Sequence, residues 1–290
     1  MNQFIKPPWV RKKRQDSPNS CQVTRLLQEL NVNTVCIEAN CPNLTECFNH
    51  RTATFLILGK ICTRSCKYCG IIKGRPFIPN PLEPNLIAEA VQKMDLKHVV
   101  ITSVTRDDLT DGGASHFASV ITLLKKSKAD LKVEVLIPDF AGSMKALDNV
   151  LAASPDVVSH NLETVPRLYP YLRPGTDFKQ SLKLLKHIKT FVSGEKPITK
   201  SGIMVGLGET DAEIYSVLEE LKEVACDCVT IGHYLPPSRK HLPVQHYVSL
   251  ATFANYKNYA LRIGFKAVAA GPFVRSSYQA CELYKKSLEV

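Results

Sequence analysis

The chain lacks any apolar run near the roughly 20 residues a membrane span requires, so no membrane partner is expected. Its first residues, MNQFIKPPWVRKKRQD, hold neither an apolar h-region nor a small-residue cleavage site. No secretory signal is read there, and the expectation is a cytoplasmic protein. The RKKR run at 11–14 is short and Pro-flanked, and reads as a solvated or partner-facing arm. Acidic residues are in deficit: 27 Asp and Glu face 37 Lys and Arg, a formal charge of +10. That excess fits a solvated surface, a nucleic-acid or acidic-protein partner, or anionic groups held inside the protein. The remaining composition, 44% hydrophobic and 22% charged, is ordinary globular, and 290 residues can bury a sizeable core.

Cysteine is present, and unevenly. Six of the 10 cysteines lie between Cys36 and Cys69. Cysteines clustered at short spacing in a cytosolic chain point to metal or redox chemistry, not disulfides. One group is Cys62, Cys66 and Cys69 in GKICTRSCKYCGI, spaced C-x3-C-x2-C with the aromatic Tyr68 before the last cysteine. The other is Cys36, Cys41 and Cys47 in TVCIEANCPNLTECF, spaced C-x4-C-x5-C. Three thiolates suit a cubane iron–sulfur cluster with one iron left open to another ligand. The alternative for each trio is zinc, completed by a distant His or Cys, or by His50 for the first group. Six cluster-bound thiolates would offset part of the +10 charge, which weakens the case for nucleic acid. Cys21, Cys226, Cys228 and Cys281 are scattered and read as small buried hydrophobes.

The hydrophobic pattern alternates between strand and helix. A short helix is expected at 21–30. Strands are expected at 54–58, 98–104, 131–138, 155–163, near 198–207, at 228–234 and at 265–270. Helices are expected between them at 84–96, 116–128, 143–153, 177–192, 211–225 and 249–264. About six βα units imply a parallel sheet, too few for a closed eight-unit barrel. A doubly wound sheet and a curved partial barrel both fit the pattern. The second cysteine group follows the first strand directly, at the carboxyl end where α/β active sites lie.

Several further residues draw attention. SGIMVGLGE at 201–209, including Gly206, interleaves glycine with apolar residues at a strand end, which fits a tight turn or close approach to a ligand. Asn161, Glu163 and Arg173 lie beyond the strand 155–163. Asp107, Asp108 and Asp111, with Gly112 and Gly113, form an acidic loop best read as capping the helix that follows.

With Tyr68 inside C-x3-C-x2-C after the first strand, the chain resembles the radical S-adenosylmethionine (SAM) superfamily. That resemblance implies a partial (β/α)6 TIM-like barrel. It also implies a cluster on Cys62, Cys66 and Cys69 whose open iron chelates SAM and whose electron splits it to a 5′-deoxyadenosyl radical. The two cysteine groups together resemble the lipoyl synthase family. EANCPN at 38–43, TSVTRDDLTDGGASHF at 102–117, SHNLETVPRLYPYLRPGTDF at 159–178, TIGHYLPPS at 230–238 and AGPFVRSSYQA at 270–280 match in turn. The likeness runs over nearly the whole chain from residue 31.

The family resemblance implies an auxiliary [4Fe–4S] cluster on Cys36, Cys41 and Cys47. An RSSY serine would complete it, Ser277 with Ser276 as the fallback. Tyr68, Asn161, Glu163, Arg173 and Gly206 are implied as SAM contacts. The implied reaction inserts two sulfur atoms, at carbons six and eight of a protein-bound octanoyl-lysine, using two SAM and sacrificing the auxiliary cluster. Implied partners are octanoylated carrier domains (2-oxoacid dehydrogenase subunits or the glycine-cleavage H protein) and an electron donor such as ferredoxin or flavodoxin. The expected layout is an N-terminal extension 1–50, a barrel core 51–270 and a C-terminal extension 271–290. Rival readings are another radical SAM sulfur-inserting enzyme, biotin-synthase-like or methylthio-transferring, and a non-enzymatic zinc protein on nucleic acid.

Overall fold

The structure, a computed structural model, describes residues 6–12, 17–191 and 196–289. Part of the expected basic arm (13–14) and residue 192, the end of one expected helix, lie outside them. Strands β1 (Thr54–Ile57), β4 (His98–Ser103), β5 (Lys132–Leu136), β6 (Val157–Ser159), β7 (Ile198–Val205), β8 (Cys228–His233) and β9 (Ala267–Gly271) form one parallel sheet in that order. The short strands β2 (Ile61–Cys62) and β3 (Ile72–Lys73) pair separately, within the cysteine loop.

Helices α4 (Glu83–Lys93), α5 (Ala114–Ser127), α6 (Met144–Ala152), α8 (Phe178–Thr190), α9 (Asp211–Glu223) and α10 (Leu250–Arg262) connect successive sheet strands. A doubly wound sheet reverses its strand order at a switch point. Here the order is purely sequential, and right-handed crossovers then put every helix on the same face. The sheet therefore curls into a partial barrel, as the motifs implied. Local sequence starts the helices well: Ser143, Asp177 and Ser249 cap α6, α8 and α10, and Thr210 with Glu213 forms a capping box on α9.

The extensions account for what the sequence pattern did not anticipate. The first cysteine group carries two short helices, α2 (Val35–Glu38) and α3 (Leu44–Asn49). Helix α1 (Pro18–Glu29) precedes them, and the connector reaches the edge of the sheet. Leu56 N donates to Asn33 O at 2.9 Å, and Thr34 bridges to Phe55. An edge strand that would otherwise offer unpaired backbone groups is thereby covered. At the other end of the chain, α11 (Ala280–Leu288) packs against both β9 and β4, with Tyr284 at 5.7 Å from the His98 ring. The one-turn helix α7 (Tyr169–Leu172) lies before α8.

The expected strand 155–163 is much shorter than the pattern proposed, Val157–Ser159. β6 stops at Ser159 because Glu163 turns into the left-handed region (φ 68°). Its ends remain stapled to β7: Glu163 N donates to Gly202 O (2.9 Å) and Met204 N to Glu163 O (2.8 Å). Inward-facing positions alternate along each strand. Among them is a buried polar group that forms a floor. Lys200 pairs with Glu134, which also meets His98 Nε2 (3.3 Å) and Ser159 Oγ (3.4 Å). Burial alone would raise the Glu134 carboxyl, but Lys200 and His98 hold it below its ordinary value.

Candidate active site

Above that floor, a cavity of about 630 Å³ is lined by all six clustered cysteines. Tyr68, Asn161, Glu163, Arg173, Gly202, Ser276 and Ser277 also face it. Residues from positions 36 to 277 thus converge at the carboxyl ends of the strands.

The second cysteine group is held by the barrel itself. After β1, Leu58 (φ 67°) and Gly59 (φ 86°) turn the chain outward. Leu58 N donates to Glu83 Oε2 at 2.8 Å, and Arg106 Nη1 donates to Leu58 O at 3.2 Å. Two backbone N–H groups, from Arg64 (3.4 Å) and Thr105 (3.3 Å), donate to Cys62 Sγ and fix its position. Arg64 locks the loop with a two-pronged bond to Asp107 (2.9 and 2.8 Å) and a third bond to Asp139 (2.6 Å). Burial would raise Asp139, but Arg64 outweighs it and holds the carboxyl low. The acidic loop therefore divides its work. Asp107 anchors Arg64, Asp108 pairs with Arg106, and Asp111 accepts from the N–H groups of Gly113 and Ser115 at the start of α5.

Beside this loop, Asn161 Nδ2 donates to Glu163 Oε1 at 3.0 Å. Arg173 Nη1 donates to Asn161 O (3.1 Å), Leu162 O (3.1 Å) and the Tyr169 hydroxyl (2.7 Å). Arg173 Nε is buried with no hydrogen-bond partner among the described residues, a donor available to an anionic ligand. Burial pushes the Glu163 carboxyl up, against the opposing pull of Arg173. In the string 201–209, Gly202 meets the cavity, and a Cβ there would come within 2.8 Å of Asn161 Oδ1 and 2.9 Å of Thr230 Oγ1. Gly206 does not line the cavity. It adopts φ 99° in the turn after β7, where Glu209 accepts from its N–H, so the tight-turn reading describes it.

The first cysteine group is held from both ends of the chain. Lys12 Nζ pairs with Glu46, donates to Asn43 Oδ1 at 2.6 Å, and lies over the rings of Phe273 (5.1 Å) and Tyr278 (5.7 Å). Asn43 Nδ2 donates to Phe273 O at 2.7 Å, and the Tyr278 hydroxyl to Glu46 Oε1 at 2.7 Å. Within the basic run, Arg11 is exposed, as a solvated arm predicts, but Lys12 is docked, and just before it Val10 is buried and Trp9 Nε1 donates to Val248 O at 3.2 Å. The C-terminal segment crosses β8 at Gly232, where any Cβ would collide with Val274 O. Ser276 Oγ donates to Asn161 Oδ1 at 3.0 Å, while Ser277 faces the cavity without a side-chain hydrogen bond among the described residues. Gly70 permits the two cysteine segments to touch, since a Cβ there would lie 3.0 Å from Ala39 O.

The thiols fit metal clusters better than free cysteine chemistry. Burial, with Cys41 adding to it, pushes Cys36 up to about 12 and Cys47 up to about 11; burial also pushes Cys69 up to about 12. Grouped thiols in such a setting ionise when metal compensates their charge. Among the described residues, no three His, Cys, Asp or Glu side chains converge tightly enough for one metal ion. His50 Nδ1 lies 2.8 Å from Glu46 O.

Sequence reasoning overlooked three contributors. Arg275, inside RSSY, lies within electrostatic reach of both Cys41 and Glu163. Cys281 lines the cavity, and Lys12 clasps the first cysteine group. The motif strings held Arg275 in view, but only the fold brings it between the two groups. Cys226 and Cys228 are buried as expected, whereas Cys21 is exposed because it lies on the outer side of α1.

The profile of the radical SAM superfamily matches residues 56–221, more than half of the chain. Solved structures agree in fold. HydG, a maturase of the [FeFe]-hydrogenase, superposes with a TM-score of 0.60 at 14% identity, over 88% of this chain and 63% of that one. Methylornithine synthase gives 0.57 at 15% identity, over 74% of this chain and 63% of that one. The chain belongs to the radical SAM superfamily, whose cofactors are SAM and a [4Fe–4S] cluster. Its curated relatives narrow this. Lipoyl synthase of Alkaliphilus metalliredigens is 50% identical over 100% of this chain and 99% of its own length. That of Caldicellulosiruptor saccharolyticus is 52% identical over 98% and 99% respectively. Within the superfamily the chain belongs to the lipoyl synthase family, and it is a radical SAM sulfur-inserting enzyme. Among the described residues no helix is long and apolar enough to cross a membrane.

Proposed function

We propose that the chain converts a protein-bound octanoyl-lysine to lipoyl-lysine by placing sulfur at carbons six and eight. The observation that carries this reading is the convergence of both cysteine trios and Ser277 on one cavity. In this reading Cys62, Cys66 and Cys69 hold the SAM-binding [4Fe–4S] cluster, which together with SAM supplies a radical able to take hydrogen from an unactivated C–H bond. Arg173, through its unpartnered Nε, orients the SAM carboxylate, and Asn161 and Glu163 contact its methionine or ribose portion. The barrel walls exclude water from the radical.

Cys36, Cys41 and Cys47 hold a second [4Fe–4S] cluster as the sulfur substrate, with Ser277 as its fourth ligand. Ser277 is preferred because Ser276 is engaged by Asn161. A hard oxygen ligand is labile on iron, which suits a cluster that must be dismantled. Residues 1–50 and 271–290 act as extensions serving this substrate, and 51–270 as the catalytic barrel. The partner is an octanoylated lipoyl-carrier domain of a 2-oxoacid dehydrogenase or the glycine-cleavage H protein.

The test is anaerobic reconstitution with iron and sulfide, then turnover with an octanoyl-lysine peptide, SAM and a reductant. The expected product has gained two sulfur atoms, with two 5′-deoxyadenosine released per lipoyl group. A product carrying one sulfur, or a methylthio group, would favour a different sulfur-inserting enzyme. Zinc at about one per cysteine trio, with no iron or sulfide, would rule the proposal out.

A further inference from the structure

Reductive SAM cleavage requires one electron from outside the chain for each SAM. We propose that the ribbon of residues 72–78 is the docking surface for a small acidic one-electron carrier protein, an inference that rests on the functional reading above.

From Gly59 to Leu82 the sequence contains no Asp or Glu but five bases: Lys60, Arg64, Lys67, Lys73 and Arg75. Arg64 is engaged by Asp107 and Asp139. Lys60, Lys73 and Arg75 are exposed and form no salt bridge among the described residues. Interleaved with them are large apolar side chains in water: Ile72 is 54% exposed, Phe77 83% and Ile78 93%. Scattered single hydrophobes need no explanation, but large exposed apolar side chains interleaved with bases in one short segment mark an interaction surface, even with Asp108 within electrostatic reach of Arg75. Its charge selects an acidic partner, and its small extent fits a transient encounter, not a permanent assembly.

Location decides which acidic partner. β3 is registered on β2, so that Ile72 faces Ile61 and Lys73 faces Cys62, and Gly74 N donates to Cys62 O at 3.0 Å. The ribbon is therefore one strand spacing, about 4.8 Å, from the backbone of a proposed cluster ligand. None of residues 72–78 lines the cavity. A carrier domain must thread its acylated lysine into that cavity. An electron donor needs only proximity, because electron transfer falls steeply with distance. One electron leaves the docked donor and one arrives at the group on Cys62, Cys66 and Cys69.

The experiment uses the reconstituted holoenzyme and two double variants, Lys73→Glu with Arg75→Glu, and Phe77→Ser with Ile78→Ser. SAM cleavage to 5′-deoxyadenosine is measured against the concentration of reduced flavodoxin, and in parallel with dithionite. The expected result is a KM for flavodoxin raised about tenfold in the charge variant, with a flattened salt dependence, and unchanged dithionite-driven rates. An unchanged flavodoxin KM overturns the proposal. So does an equal loss with both reductants, which would mean a damaged cysteine loop. A raised KM for the octanoylated carrier with flavodoxin unaffected would give the ribbon to the carrier and overturn it as well. If the unaltered enzyme cleaves no SAM even with dithionite, the functional reading itself fails.

Discussion

The two cysteine groups face one cavity yet are held in opposite ways. Cys62, Cys66 and Cys69 sit on a loop anchored by its own barrel, through Thr105, Asp107 and Asp139 just beyond β4 and β5. Cys36, Cys41 and Cys47 depend on contacts from both chain ends. Lys12 reaches them from the arm, and Phe273 and Tyr278 return across 230 or more residues of sequence. The barrel-held group gains rigidity from elements that must form for the fold to exist. The clasped group draws part of its support from segments outside the barrel.

Five substitutions would break or sharpen that contrast. The largest effects are at the cysteines. Cys62→Ala should reduce 5′-deoxyadenosine formation to background, while Cys41→Ala should keep SAM cleavage and abolish the sulfur-bearing product by mass spectrometry. If both variants lost cleavage alike, the two groups would not divide the work. Next is Gly232→Ala, which drives Val274 and the serines after it off β8. Sulfur insertion should fall on the order of a hundredfold, as a misplacement near 1 Å can cause, with SAM cleavage largely kept.

Arg64→Ala leaves the buried Asp139 carboxylate unpaired. It should cost about 3 kcal/mol of stability, at the low end for a buried pair because Asp107 stays partly in water. The loss should show as a lower melting temperature and weaker SAM cleavage, with iron retention by Cys36, Cys41 and Cys47 unaffected. The smallest effect is expected for Lys12→Ala, about 1 kcal/mol, because its pair with Glu46 is partly exposed. Combined with Glu46→Gln the losses should not add, and a double-mutant cycle reads that coupling. Iron should leave the first group faster in Lys12→Ala than in the parent, whereas an unchanged release rate would mean that the clasp is not what holds it.

Much of the barrel was legible because each strand is a short apolar run and several helices carry their own caps. Thr210 and Glu213, or Asp177, announce a helix start within a few residues of sequence. The extensions were less legible. α2 and α3 are one turn or slightly more, too short for a periodic pattern to declare itself. α11 was missed although its apolar residues have helical spacing, because nothing local says that it packs on β9 and β4 together. At the site, Gly206 drew attention through its glycine-rich string, yet Gly202 meets the cavity. The same residue type serves a turn in one case and a close approach in the other, and only position along β7 separates them. Arg275 and Lys12 carry no signal of their own, since surface and buried arginines and lysines look alike in a string.

By itself the sequence determined the chemistry available: two cysteine trios at fixed spacing, one directly after the first strand, with RSSY far downstream. Spacing is a local property, and the chain cannot hide it. Only the tertiary structure decided that the two trios and Ser277 meet in one cavity, that Ser276 is engaged by Asn161, and that the arm and the C-terminal segment clasp each other through Lys12, Glu46 and Tyr278. Those meetings depend on how a sequential parallel sheet curls and on a glycine at 232 that lets one segment pass over another. They are long-range consequences of packing, and no window of sequence contains them.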